Sequence, residues 1–123
     1  MPNLTPLQIK NDEFRRNLIA NYQKQDKVPS VFLAPGVVAL YDSDPKAFYS
    51  VLDAVINFPE EKFTDENDPH KEHDMAFFDV EGERYFFKID YYDVNFEFHC
   101  GEENMLNDEL CRRVLTIAHS SEY

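Results

Sequence analysis

The stretch Thr64–Asp93, TDENDPHKEHDMAFFDVEGERYFFKIDYYD, decides how this chain folds. It opens with an acidic segment carrying His70 and His73 and then turns aromatic. Met75 to Glu81 reads as one strand, Glu81-Gly82-Glu83 as a turn, and Arg84 starts the return strand. In an extended strand Tyr85, Phe87, Ile89 and Tyr91 point one way, and Phe86, Lys88, Asp90 and Tyr92 the other. After Tyr91 the parity changes: Val94, Phe96 and Phe98 alternate with Asn95, Glu97 and His99. A strand running straight on would turn its buried set to the opposite face, so a turn or bulge near Tyr92-Asp93 and a further strand beyond it are expected.

Working outward toward the start, Thr5-Pro6-Leu7-Gln8 has the form of a capping box with proline at the first helical position. Leu7, Phe14, Leu18 and Tyr22 share a face, giving a packing helix from about Pro6 to Gln23. Residues 25–29 read as a linker. Val31-Phe32-Leu33 is a short strand, and Val37-Val38-Ala39-Leu40 reads as its continuation after Pro35-Gly36. Ser43-Asp44-Pro45 starts a second helix, whose stripe Phe48, Val51, Leu52, Val55, Ile56 is amphipathic, with Pro59 ending it. Residues 60–74 form a long irregular connection. Beyond the hairpin, 101–110 is an acidic loop with one helical turn, and the β-branched run within 112–119 favours a final strand. Helices first and strands afterwards predict one α+β domain over 1–123, with two N-terminal helices on one face of a mostly antiparallel sheet of four to five strands.

The chain has 123 residues, 43% apolar and 15% aromatic, enough for a single core and too structured a composition for disorder. Net charge is −12, and its placement is lopsided. Residues 1–58 hold six acids and six bases, whereas 59–123 hold eighteen acids and six bases. That sign disfavours direct nucleic-acid binding and attachment to anionic membranes, and it attracts basic protein surfaces. The start lacks the basic-then-apolar pattern of a leader peptide, and no apolar run approaches the ~18 residues of a membrane span. The expectation is a cytoplasmic protein with Cys100 and Cys111 reduced, neither of them in a CxxC pair.

Asn67-Asp68-Pro69-His70, Glu72-His73-Asp74, Phe87-Lys88-Ile89-Asp90-Tyr91-Tyr92-Asp93, Arg113-Val114-Leu115-Thr116-Ile117 and Glu122-Tyr123 follow one another in that order. With them the chain resembles a small bacterial domain family of unknown function, common in alphaproteobacteria and often carried on plasmids and in prophage-like regions. That family's pattern runs NDPxGEHD…WKIDYYD…RVLTI. This sequence departs from it with Lys71 for Gly, Met75-Ala76 for Phe-Gly and Phe87 for Trp. The resemblance brings no established activity. Its mobile-element setting implies roles in conflict between host and element.

Three groups of residues carry chemistry. Asp68, His70, His73 and Asp74 combine imidazole and carboxylate, as divalent zinc, manganese or iron sites do. The spacing is neither an EF-loop nor HExxH, and the plainer reading is a loop whose Asp68-Pro69 makes a turn. No cofactor is required by the sequence, and a divalent metal is the alternative. The second group is His73, Asp74, Lys88, Asp90, Tyr92 and Asp93. Pairing about Gly82 and Glu83 puts Met75 opposite Asp90 and His73 opposite Tyr92, so the group converges at one end of the hairpin and suits acid–base work. Against this, no serine lies in a nucleophile elbow and neither cysteine is evidently paired with a histidine. An ion-pair network is the plainer reading.

The third group is the acidic, aromatic surface: Glu72, Asp74, Asp90, Tyr91, Asp93, Glu102 and Glu103 as partner-binding residues. The preferred function is therefore a small, non-enzymatic acidic interaction module. Its partner would be a protein with a basic surface, in the sharpest form a nucleic-acid-binding host defence protein for which the acids mimic DNA phosphates. An inhibitor carried by a mobile element would act in this way. A metal-binding or acid–base enzyme at the His73 cluster is the alternative, and a homodimer formed through the aromatic edge is a third.

Overall fold

The computed structural model describes residues 3–24 and 29–123. Residues 25–28 of the expected linker lie outside the described residues. The elements are helices α1 (Pro6–Arg16), α2 (Leu18–Lys24), α3 (Pro35–Ser43) and α4 (Pro45–Ile56), and strands β1 (Val31–Leu33), β2 (Met75–Val80), β3 (Glu83–Tyr92) and β4 (Arg112–His119). They form an α+β fold with an open sheet in the order β1-β4-β3-β2. β1 runs parallel to β4, and the other two pairings are antiparallel.

The capping box forms as the sequence dictates. Gln8 N donates to Thr5 Oγ1 at 3.1 Å and Thr5 N to Gln8 Oε1 at 2.9 Å. The single helix expected over 6–23 is broken at Asn17. There the Asn17 amide donates to the Glu13 carbonyl at 2.9 Å and the Asn21 amide to the Phe14 carbonyl at 3.1 Å, short polar side chains competing with the helical ladder. A second correction concerns 37–40, which is helix α3 and not strand. Pro35 sits at the first helical position, where its missing N–H costs nothing, and the Ala34 carbonyl takes the Val37 and Val38 N–H groups. In α4 the Asp44 carboxylate caps Ala47 N, and Phe48, Val51, Leu52 and Val55 are buried.

Helices pack on one sheet face. Leu18, Val37, Val51, Leu52 and Val55 share a core with Phe87, Ile89, Leu115 and Ile117. The opposite face carries a smaller cluster of Phe86, Ala118 and Ala34, with Phe77 against it. Among the described residues no helix is long and apolar enough to cross a membrane.

The hairpin turn is Glu81-Gly82, both left-handed (φ 52° and 81°), as a two-residue type I′ connection requires. Met75 therefore faces Lys88, two positions from the expected partner Asp90. A two-residue shift preserves which face each side chain takes but changes what it meets. The strand expected through Val94, Phe96 and Phe98 is not made. Instead the Asp93 carboxylate accepts the Asn95 and Glu97 N–H groups, Phe96 turns left-handed, and one bridge joins Tyr92 to His99. At the outer edge of β2, Phe77 N donates to Asn67 Oδ1 at 3.2 Å.

The 60–74 connection is wound into turns, and its Asp68, His73 and Asp74 are buried. Lys71 (φ 56°) and His73 (φ 58°) both hold left-handed conformations. The tight turn is thus made without a glycine. A Cβ in that region costs about 1 kcal/mol, so Lys71→Gly is expected to stabilise the fold by that order. The urea midpoint measures it, and a lowered midpoint would show that the lysine side chain holds the loop.

Candidate functional site

On α1, Gln8, Asn11, Asp12 and Arg15 fall three and four residues apart and so share one helix face. That face reads the connection residue by residue. Gln8 Nε2 donates to the Lys71 carbonyl at 2.8 Å, Asn11 Nδ2 to the Glu72 carbonyl at 2.9 Å, and Asp12 receives His73. His73 Nδ1 lies 3.0 and 3.1 Å from the two Asp12 oxygens. A carboxylate only accepts, so Nδ1 carries the proton and, in the neutral ring, Nε2 is the acceptor. Arg15, with no solvent exposure, donates through Nη1 to Asp12 at 2.8 Å and through Nε to the Val55 carbonyl at 2.9 Å. Burial pulls its guanidinium below the ordinary value, and Asp12 opposes that. Phe63 stacks on His73 with ring centroids 4.0 Å apart and planes 6° from parallel. The Arg15 guanidinium stands over Phe63 and Phe87.

Beside this lies a second buried set. Asn11 Nδ2 also donates to Tyr91 Oη at 2.7 Å, and Arg113 Nε donates to Asn11 Oδ1 at 3.0 Å, which fixes the amide's orientation. Tyr91 Oη donates in turn to Glu72 Oε2 at 3.3 Å. Arg113 lies over the Tyr91 ring and donates to the Met105 carbonyl. Burial, with Asp74 next, raises the Tyr91 hydroxyl above its usual range. The loop itself is held by Asp68, whose carboxylate accepts the Glu72 and His73 N–H groups at 3.2 and 3.1 Å. Asp74 Oδ1 is buried without a hydrogen-bond partner among the described residues. Desolvation, then Glu72 and Asp68, push its carboxyl up to about 6.

The sequence-derived sets are divided by this geometry. His73 belongs to the helix-covered side. Lys88 and Asp90, 3.3 Å apart, lie on the opposite sheet face, alternating with buried Phe87, Ile89 and Tyr91. Tyr92 is half-buried beside Phe96, and Asp93 holds its turn. The acid–base group His73, Asp74, Lys88, Asp90, Tyr92, Asp93 is therefore split across the sheet. Of the metal set, Asp68 is engaged by backbone N–H groups, His73 by Asp12, and His70 is exposed, 3.8 Å from Asp74. Among the described residues no three His, Cys, Asp or Glu side chains are gathered as a metal ion would need. Cys100 and Cys111 are free and buried; burial, then Cys100, push the Cys111 thiol up to about 12, which suits an inert thiol.

Of the partner-binding set, Tyr91 and Asp74 lie beneath the surface and Glu72 is half-buried. Glu102 and Glu103 are exposed on a 3₁₀ turn. Sequence reasoning missed Asn11, Asp12, Arg15, Phe63 and Arg113. The signal was present for three of them, as a polar stripe at helical spacing beside α1's apolar one.

The family model DUF3768, "Protein of unknown function", matches residues 33–122. The chain belongs to DUF3768. The matched residues take in His73, Tyr91 and Arg113, while their α1 partners precede the match. No curated protein and no solved structure matches the chain.

Proposed function

We propose that this DUF3768 protein is a small acidic interaction module whose partner presents a basic surface. The observation that supports it is where the acids gather. β2 begins and β3 ends at the same end of the hairpin, so the loops 60–74 and 93–111 both lie at that end. Loop 93–111 carries Asp93, Glu97, Glu102, Glu103, Asp108 and Glu109 and no lysine or arginine. Five of these six are exposed, Asp93 being half-buried. α1 is clasped to the same end through Asp12–His73 and Lys10–Asp108. A rigid support for a one-signed patch favours steering of an oppositely charged protein.

Spaced carboxylates on a fixed scaffold can stand in for phosphates, so the partner class we favour is a basic nucleic-acid-binding protein. The mobile-element setting of the resembled family makes a host defence protein the sharpest form of that reading. The test is capture of host proteins on the immobilised chain at low and high salt. The comparison is a Glu97→Lys, Glu102→Lys, Glu103→Lys variant. A basic partner retained at low salt, released by salt and by duplex DNA, and lost with the variant is the expected result. A partner held equally by the charge-reversed protein would overturn the reading.

A further inference from the structure

We infer that the cavity beside His73 is a receptor for one arginine side chain of that basic partner, an assignment that rests on the interaction reading above. The cavity is open, about 580 Å³, and is lined by Glu60, Glu61, Phe63, Asp65, Lys71 and His73 among others. An acidic rim alone would be an ordinary solvated surface. What points to a ligand is His73. Its residue is 4% exposed, its Nδ1 is taken by Asp12, and its Nε2 makes no hydrogen bond to any described residue. Among the described residues the sealed, unpartnered side-chain atoms are Arg15 Nη2 and Asp74 Oδ1, and Nε2 is not sealed in that way. It therefore reaches solvent, and His73 is among the residues that line this cavity. Asp12 fixes the tautomer, so in the neutral ring the atom presented is an acceptor facing an acidic rim.

The Nε2 acceptor of the neutral His73 ring, the carboxylates of Glu60, Glu61 and Asp65 and the Phe63 ring, all among the lining residues, define the ligand's chemistry. It donates a hydrogen bond, carries positive charge, and has a flat apolar face. A guanidinium meets all three demands, with its N–H fork shared between Nε2 and the rim carboxylates. The receptor is built in advance: Asp68 holds the backbone of His73 in its left-handed conformation, and Phe63 and Asp12 hold its ring. Lys71 is the cavity's own cation. It is exposed and 3.8 Å from Asp65, a loose pair that an incoming guanidinium displaces at little cost.

The test uses the full chain, isotope-labelled, titrated with N-acetyl-arginine methylamide and, as the uncharged isostere, N-acetyl-citrulline methylamide. Saturable shifts at Phe63, Asp68 and the His73 ring, at least about tenfold weaker with citrulline, are expected. Glu60 and Glu61 are exposed, so Glu60→Gln with Glu61→Gln keeps the fold. It should weaken the arginine probe about tenfold, and Lys71→Gly should tighten it. Shifts that do not saturate, that citrulline reproduces, or that ignore the Glu60/Glu61 change would overturn the assignment. If the salt-sensitive capture by loop 93–111 persists while the probe fails, only the receptor is lost. If both fail, the interaction reading falls with it.

Discussion

Asp12→Ala is expected to lower the unfolding free energy by about 3–5 kcal/mol, the cost of leaving a buried charge without its partner. Asp12 is 4% exposed and is the acidic partner of both Arg15 and His73. With it gone, the Arg15 guanidinium stays charged, because arginine does not give up its proton even when buried. It would keep one bond to the Val55 carbonyl and its place over Phe63 and Phe87, and these do not replace a carboxylate. The loop also loses the bond that fixes its His73 ring. Urea unfolding measures the loss. Asp12→Leu combined with Arg15→Met separates the two causes, since removing both charges together restores most of the stability while the loop stays unclasped. A loss below about 1 kcal/mol for Asp12→Ala would mean that water reaches Arg15 and that the pair is not sealed.

The second large effect has the opposite sign. Asp74→Asn is expected to stabilise the protein at pH 7 by on the order of 2 kcal/mol. Desolvation, then Glu72 and Asp68, hold the Asp74 carboxyl up at about 6, against about 4 in an unfolded chain. Between those values the folded protein binds more protons than the unfolded one. Stability therefore falls as pH rises through this window, and the full penalty is present above about pH 6. The amide carries no charge to desolvate, so the gain appears above pH 6 and vanishes below pH 4. Asp74 Oδ1 has no hydrogen-bond partner to lose among the described residues, and the pair with exposed His70 at 3.8 Å is loose, so little is given up in exchange. Urea midpoints of both proteins from pH 4 to pH 8 test this, and parallel curves would show that Asp74 ionises without cost.

What the sequence made legible follows from locality. The Thr5–Gln8 box, the Asp44 cap and the α4 stripe depend on residues within a turn or two of each other, and each formed as read. The α+β class followed from the order of those signals. Helix α3 was hidden because Pro35-Gly36 reads equally as a break and as a helix start. The hairpin pivot slipped because Glu81, a residue with a Cβ, takes a left-handed place that was assigned to the positions after it. His73 stood out on the page, but its partner lies 61 residues away. No spacing rule joins Asp12 to His73; only the fold does. The expected convergence of His73 with Asp90 and Tyr92 failed for the complementary reason, that strand parity sends Asp90 to the far side of the sheet.

The Asn67–Phe77 bond has a consequence for colloidal behaviour. Ile89 N donates to the Asp74 carbonyl, so along β2 the even-numbered residues bond to β3, and Met75, Phe77 and Asp79 turn their backbone groups outward. The sequence there, Ala76-Phe77-Phe78, is apolar and uncharged, the kind of segment that recruits a foreign strand into fibrous stacking. The middle donor of that outward row is already taken by the Asn67 amide oxygen. A would-be adder of strands finds its ladder interrupted at the centre, and one asparagine thereby guards the edge of an aromatic hairpin against precipitation.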